Sequence, residues 1–126
     1  MNKITFTEDA PTPIGPYAQA VRAGSTLYCA GQIPLDPKTG ELVSGNAADQ
    51  TRRVLDNLFA VLRANDLNAS NVVKTSVFLV DMADYPAMNE IYASYFENHV
   101  PARTTVAVAG LPRGVRVEID AVAVAN

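Results

Sequence analysis

The chain is short of the residues on which many enzymes and most small secreted proteins depend. It has one cysteine, Cys29, among 126 residues, which excludes an internal disulfide and any cysteine-cluster metal site. It has one histidine, His99, so paired-histidine metal ligation is excluded and a Ser-His-Asp or Cys-His arrangement would have to run through that residue alone. No glycine-rich phosphate loop, dinucleotide fingerprint or nucleophile elbow is present. No apolar run approaches the roughly 18 residues needed to cross a bilayer, and residues 1–16 lack the basic start and apolar stretch of a secretory signal. Charge of one sign is scarce as well. Ten Lys and Arg against 13 Asp and Glu give a net charge of -3, a poor electrostatic footprint for nucleic acid. These absences point to a compact cytoplasmic domain with no membrane and no nucleic-acid partner expected.

What is present is globular. Apolar residues make up 48% and charged residues 18%, and this length fits a single domain, residues 1–126, able to bury roughly two-thirds of its unfolded surface. Lys3 to Phe6 reads as a short edge strand, followed by a loop rich in proline at Pro11, Pro13 and Pro16. Tyr17 to Val21 and Leu27 to Ile33 read as strands around a turn at Ala23-Gly24-Ser25. A second turn lies at Asp36 to Gly40. A helix is expected from about Ala47 to Asn65, with Val54, Leu55, Leu58, Phe59, Val61 and Leu62 on one face and Asn46 as its cap. Val72 to Val80 suits a strand. A second helix spans Tyr85 to Glu97, capped by Asp84, with Pro86 tolerated in its first turn and Met88, Ile91, Tyr92, Tyr95 and Phe96 inward. Strands near Arg103 to Ala109 and Val115 to Ala125 complete an α+β order with helices layered on one sheet. The last strand is apolar at Val115, Val117, Ile119, Ala121 and Ala123, and also at Val122 and Val124. A strand apolar on both faces is covered on both. Helices cover one face, and a second subunit is expected on the other.

Few residues stand out chemically. His99 closes a helix and reads as a surface histidine, and Cys29 reads as a small buried hydrophobe. Arg103 opens a strand in a small, mostly apolar segment, where a guanidinium forms a two-pronged pair with a carboxylate. That carboxylate belongs either to the protein, as a structural ion pair, or to a ligand. Glu118, between Val117 and Ile119, is either solvated beside Arg116 and Asp120 or covered, and buried carboxylates are rare unless paired. Tyr17, after the rigid Ile14-Gly15-Pro16, serves packing or a ligand equally well. Asn89 reads as solvent-facing, and Gly31 as a bulge or a point of close approach.

In this pattern the chain resembles the RidA/YjgF family of small enamine/imine deaminases. The resemblance runs through Ala10-Pro11, Ile14-Gly15-Pro16-Tyr17, Gly31-Gln32-Ile33-Pro34 and Asp36 to Gly40. It continues in Val73-Lys74-Thr75, Met88-Asn89, Tyr92, Phe96, Pro101-Ala102-Arg103 and Val117 to Ala121. It implies a chorismate-mutase-like fold, one mixed sheet with two helices on one face, assembled as a homotrimer with clefts between subunits. It implies that Arg103 holds the carboxylate of a 2-imino or 2-enamino acid while Glu118 positions water, with Tyr17, Gly31, Asn89 and backbone near Thr105 lining the cleft. No cofactor and no metal are implied. The chain departs from the family in carrying Thr105 where many members have cysteine and Ala30 where many have serine. The first departure argues against thiol chemistry at that position. The ribonuclease and translation-inhibition labels attached to the family fit poorly with the charge of -3 and with no basic run beyond Arg52-Arg53.

Overall fold

A computed structural model describes residues 1–126. Six strands, β1 (Lys3–Thr5), β2 (Ala20–Ala23), β3 (Thr26–Gln32), β4 (Val72–Leu79), β5 (Ala102–Ala107) and β6 (Val117–Val124), form one sheet in the order β1-β2-β3-β6-β4-β5. Only β4 and β5 run parallel. The 85–95 helix lies between them in sequence, as a parallel crossover requires. The sheet is therefore mixed, and the long last strand β6 sits inside it between β3 and β4.

Two helices cover one face. In α1 (Ala47–Arg63) the Asn46 side chain accepts a hydrogen bond from the Asp49 N–H at 3.0 Å, capping the first turn as expected. Val54, Leu55, Leu58, Val61 and Leu62 are fully buried and meet Leu27, Val77, Leu79, Val117, Ile119, Ala121 and Ala123 of the sheet in one core. Truncating Leu55 or Leu58 to Ala there removes about 2–5 kcal/mol. Helix α2 (Tyr85–Tyr95) packs Met88, Ile91 and Tyr92 onto the same core, and Phe59 of α1 meets Tyr95 and Phe96 edge-on at 5.4 and 5.5 Å.

Three local expectations change. The second strand begins at Ala20 rather than Tyr17, because the proline-rich approach turns tightly, with Tyr17 N–H donating to Gly15 C=O at 2.9 Å. The last strand begins at Val117, after a tight turn in which Arg113 takes φ +58°. Asp84 does not cap α2 through its side chain. Its carboxylate is taken by Arg116 at 3.0 and 3.1 Å instead. An ion pair to guanidinium outcompetes a cap hydrogen bond, and this one still ties the start of α2 to the sheet.

The other face has no cover within the chain. Paired residues share a face, so Ile4, Val21, Tyr28, Val122 and Lys74 form one row across it. Val106, Phe78 and Glu118 form another. Ile4, Tyr28 and Val106 are exposed and Val122 is half-buried. The doubly apolar second half of β6 is thus covered on one side only in a single chain.

Candidate active site

Arg103 lies on β5 opposite Thr75, on the helix-covered face. Its guanidinium donates to Asn89 Oδ1 at 2.8 Å and to the Tyr85 hydroxyl at 2.6 Å, and stacks 4.8 Å from the Tyr92 ring centroid. Tyr92 is held in turn by a 2.7 Å hydrogen bond between its hydroxyl and Thr75 Oγ1. Burial raises its phenol above the ordinary value, outweighing the opposing effects of that bond and of the Arg103 charge. Of the two alternatives for its partner, a structural ion pair is not formed within the chain: the salt bridges are Arg52–Asp49 and Arg116–Asp84. Asn89 is not a solvent-facing bystander either. A half-buried cation oriented only by neutral oxygens retains its full attraction for an anion.

Thr105 follows on the same face. Its Oγ1 is buried with no hydrogen-bond partner. Its backbone is placed differently. Val108 N–H donates to Leu79 C=O at 2.8 Å, and strand alternation then turns the N–H and C=O of Arg103, Thr105 and Ala107 away from β4, onto the free edge of the sheet. What Thr105 can present to a ligand is main chain.

Glu118 occupies the opposite face, paired with Phe78. It accepts no hydrogen bond from the chain and lies across Gly31, where a Cβ would collide with its carboxylate. Between Cys29 and Gln32 the β3–β6 register slips, so Gly31 is both the bulge and the close approach. Tyr17, Ala30, Gly31 and Glu118, with Ile14, Ile33 and Pro112, line a cavity of about 420 Å³. Tyr17 is half exposed, and its hydroxyl accepts a hydrogen bond from Ile14 N–H at 3.3 Å. Burial pushes the Glu118 carboxyl above the ordinary carboxylate value, and the Asp120 charge on the same face adds to the shift.

Tyr17, Gly31 and Glu118 are therefore brought together, and so are Arg103, Asn89 and Thr105, but the two groups are held apart. Thr75 and Phe78 are three residues apart on one strand and point to opposite faces, so their partners Arg103 and Glu118 do too. Tyr85 escaped the sequence reading, and Tyr92 was placed there only as a core residue. Their signal was the spacing Tyr85, Asn89, Tyr92, one stripe along a helix. The remaining polar candidates fall outside both groups. Burial first, then Asp120, pushes the Cys29 thiol up to about 12, so no thiolate is available near neutrality. His99 Nε2 contacts Val72 C=O at 3.0 Å, away from either cluster.

Comparison with known proteins identifies the family and its fold. The family described as Endoribonuclease L-PSP matches residues 7–125, and the chain belongs to that family, the RidA/YjgF proteins. It is 53% identical over 123 residues to a RutC family protein of Pyrococcus horikoshii, covering 98% of each chain. It is 48% identical over 124 residues to the 2-iminobutanoate/2-iminopropanoate deaminase of Mus musculus, covering 98% of this chain and 92% of that one. The crystal structure of E. coli TdcF with bound serine superposes with a TM-score of 0.94 at 41% identity, covering 98% and 99% of the two chains. No helix is long and apolar enough to cross a membrane.

Proposed function

We propose that this chain hydrolyses small 2-imino and 2-enamino acids, 2-iminobutanoate and 2-iminopropanoate among them, to 2-oxo acids and ammonia, at sites formed between copies in a homotrimer. The observation that carries the reading is the separation of the two clusters. An arginine with no carboxylate partner in the chain and a half-buried glutamate face away from each other, so they serve one small substrate only where two copies meet. The uncovered face, with Ile4, Tyr28, Val106 and Phe78, supplies the apolar surface for that meeting. The family relatives named as imine deaminases support the substrate class.

In this reading Arg103 of one copy binds the substrate carboxylate in a two-pronged contact. Glu118 of the neighbouring copy holds a water against the imine carbon. A protonated imine is already electrophilic, so no covalent nucleophile is needed and the protein's task is orientation and proton transfer. The water oxygen adds to the carbon as its proton passes to the Glu118 carboxylate, and the C=N electron pair goes to nitrogen. Glu118 then returns the proton to nitrogen, the C–N bond breaks with loss of ammonia, and the hydroxyl proton leaves as the C=O forms. A carboxyl that burial lifts above its ordinary value suits both transfers better than a fully solvated one.

The test generates imines in situ with an amino-acid oxidase and traps survivors with semicarbazide. Wild type lowers the trapped imine and Arg103→Ala does not, while sedimentation gives three times the 13.5 kDa chain mass. A monomer that shows no difference from buffer would sink the proposal. The second reading, a module that binds small carboxylic acids without turnover, is favoured by the serine held in E. coli TdcF. It predicts binding of 2-oxobutanoate with no loss of imine.

A further inference from the structure

The geometry points to Tyr85 as a direct ligand of the substrate carboxylate, its phenolic hydrogen completing a cradle that Arg103 begins. The assignment rests on the carboxylate-binding role of Arg103 proposed above. Arginine only donates, so in the 2.6 Å contact the Tyr85 oxygen is the acceptor and its own hydrogen must point elsewhere. No acceptor for that hydrogen exists in the chain. The same logic applies to Asn89. Its Oδ1 accepts from Arg103 at 2.8 Å, which turns the amide NH₂ outward, and that group has no acceptor either. Of the guanidinium's five N–H groups, two are used in these contacts and three remain.

The side chains of the cluster thus present more spare donors than acceptors, with both side-chain oxygens already engaged by Arg103. It carries a single positive charge, and no acidic side chain bonds to it. Such a set fits a carboxylate, whose two oxygens offer about four lone-pair positions. Arg103 fills two of them with a two-pronged contact. An oxygen bound at the guanidinium nitrogen next to Tyr85 lies beside the phenol, because that nitrogen and the phenolic oxygen are 2.6 Å apart. Tyr85 is well placed to hold this position. It opens α2, half-buried, directly after Asp84, which the Arg116 guanidinium ties to the sheet. Its ring also lies under the Arg103 guanidinium, 5.5 Å from centroid to carbon. Phenol, guanidinium and helix start are therefore linked to one another and to the sheet.

Titration calorimetry with 2-oxobutanoate, which carries the carboxylate but does not react, tests the assignment on the whole assembled protein. Tyr85→Phe removes only the hydroxyl and leaves the ring packing, and affinity is expected to fall about tenfold or more, the usual loss for a hydrogen bond to a charged group. A purely supporting role, in which the phenol does no more than accept from Arg103, is separated by replacing Tyr85 with 3-fluorotyrosine at mildly acidic pH. Fluorine makes the hydroxyl a stronger donor and a poorer acceptor. Direct contact with the ligand predicts tighter binding than wild type, whereas an orienting role predicts weaker binding and would overturn the assignment. Tyr85→Phe binding within twofold of wild type would overturn it as well. Arg103→Ala is the internal reference: if it binds as wild type does, the carboxylate reading of the whole cluster fails, an outcome distinct from loss at Arg103 with retention at Tyr85.

Discussion

Around Arg103 the chain supplies structure, whereas around Glu118 it supplies room. Asn89, Tyr85 and Tyr92 of one helix fix the guanidinium by two hydrogen bonds and a ring face, and Thr75 fixes Tyr92 from the sheet. The carboxylate of Glu118 has no comparable partner. Its position depends on a missing Cβ at Gly31 and on an exposed loop bearing Ile14 and Tyr17. The cationic half is pre-organised within one chain, while the acidic half stays open on the face that the helices leave uncovered. Preorganised charge is what binds a substrate with little reorganisation, and a poorly solvated, unpaired carboxyl is what moves protons. In the proposed reaction the two tasks call for opposite surroundings, and opposite faces of one sheet provide them.

The sharpest way to break this comparison is to remove the charge on the built side. Arg103→Ala is expected to lower kcat/KM for imine hydrolysis by a hundredfold to a thousandfold, on the order of the loss from deleting a paired buried charge, with the fold retained by circular dichroism. On the open side, Glu118→Gln is expected to lower kcat by about a hundredfold or more, the usual share of general acid–base catalysis, while 2-oxobutanoate still binds. Loss of binding together with turnover in Glu118→Gln would mean that the halves do not divide the work.

The same substitution carries a stability signature with a definite sign. A carboxyl whose native pKa lies above its ordinary 4.5 holds its proton more tightly when folded. Stability is then highest at low pH and falls as pH rises from about 4.5 through the raised value. Thermal melts across that window should show a smaller pH slope for Glu118→Gln and a slightly higher Tm for the variant near neutrality. An unchanged slope would place Glu118 in ordinary solvent.

Smaller effects sharpen the contrast. Gly31→Ala is expected to cost about tenfold in activity, because its Cβ displaces the carboxylate, an effect of the size that small misplacements of a catalytic group produce. Its cost in stability should vanish in a Glu118→Ala background, and an additive double-mutant cycle would show that the two do not touch. Least of all, Thr105→Val should keep activity within twofold and raise stability by up to about 1 kcal/mol, since it deletes a buried hydroxyl that has no partner. A large loss of activity would assign the hydroxyl a role that the free backbone of β5 otherwise fills.

Much of the fold was legible in one dimension. The three-and-four spacing of Val54, Leu55, Leu58, Val61 and Leu62 specified α1 and its buried face, and Asn46 marked its start. Gly31 announced its bulge because a glycine interrupting a good strand has few other uses. Asp84 was less legible. Its type suited a helix cap, but its partner Arg116 comes from 32 residues away. Arg103 was expected to hold a carboxylate and Asn89 to lie near it, yet the tyrosines beside Arg103 were not expected there, since a tyrosine at helical spacing looks the same whether it fills a core or orients a cation.

The sequence by itself determined the elements and the layer of helices on one sheet, which follow from local periodicity, turn chemistry and residue type acting over a few positions. Its resemblance to the family is what grouped Arg103, Glu118, Tyr17, Gly31, Asn89 and Thr105 as one expected set. Only the tertiary structure decided that the set is divided between two faces. That division depends on strand order and register, with β6 placed inside the sheet between β3 and β4 and β5 left at its edge. Strand pairing across tens of residues sets which face each side chain takes, and nothing in a strand's own pattern says which neighbour it will have.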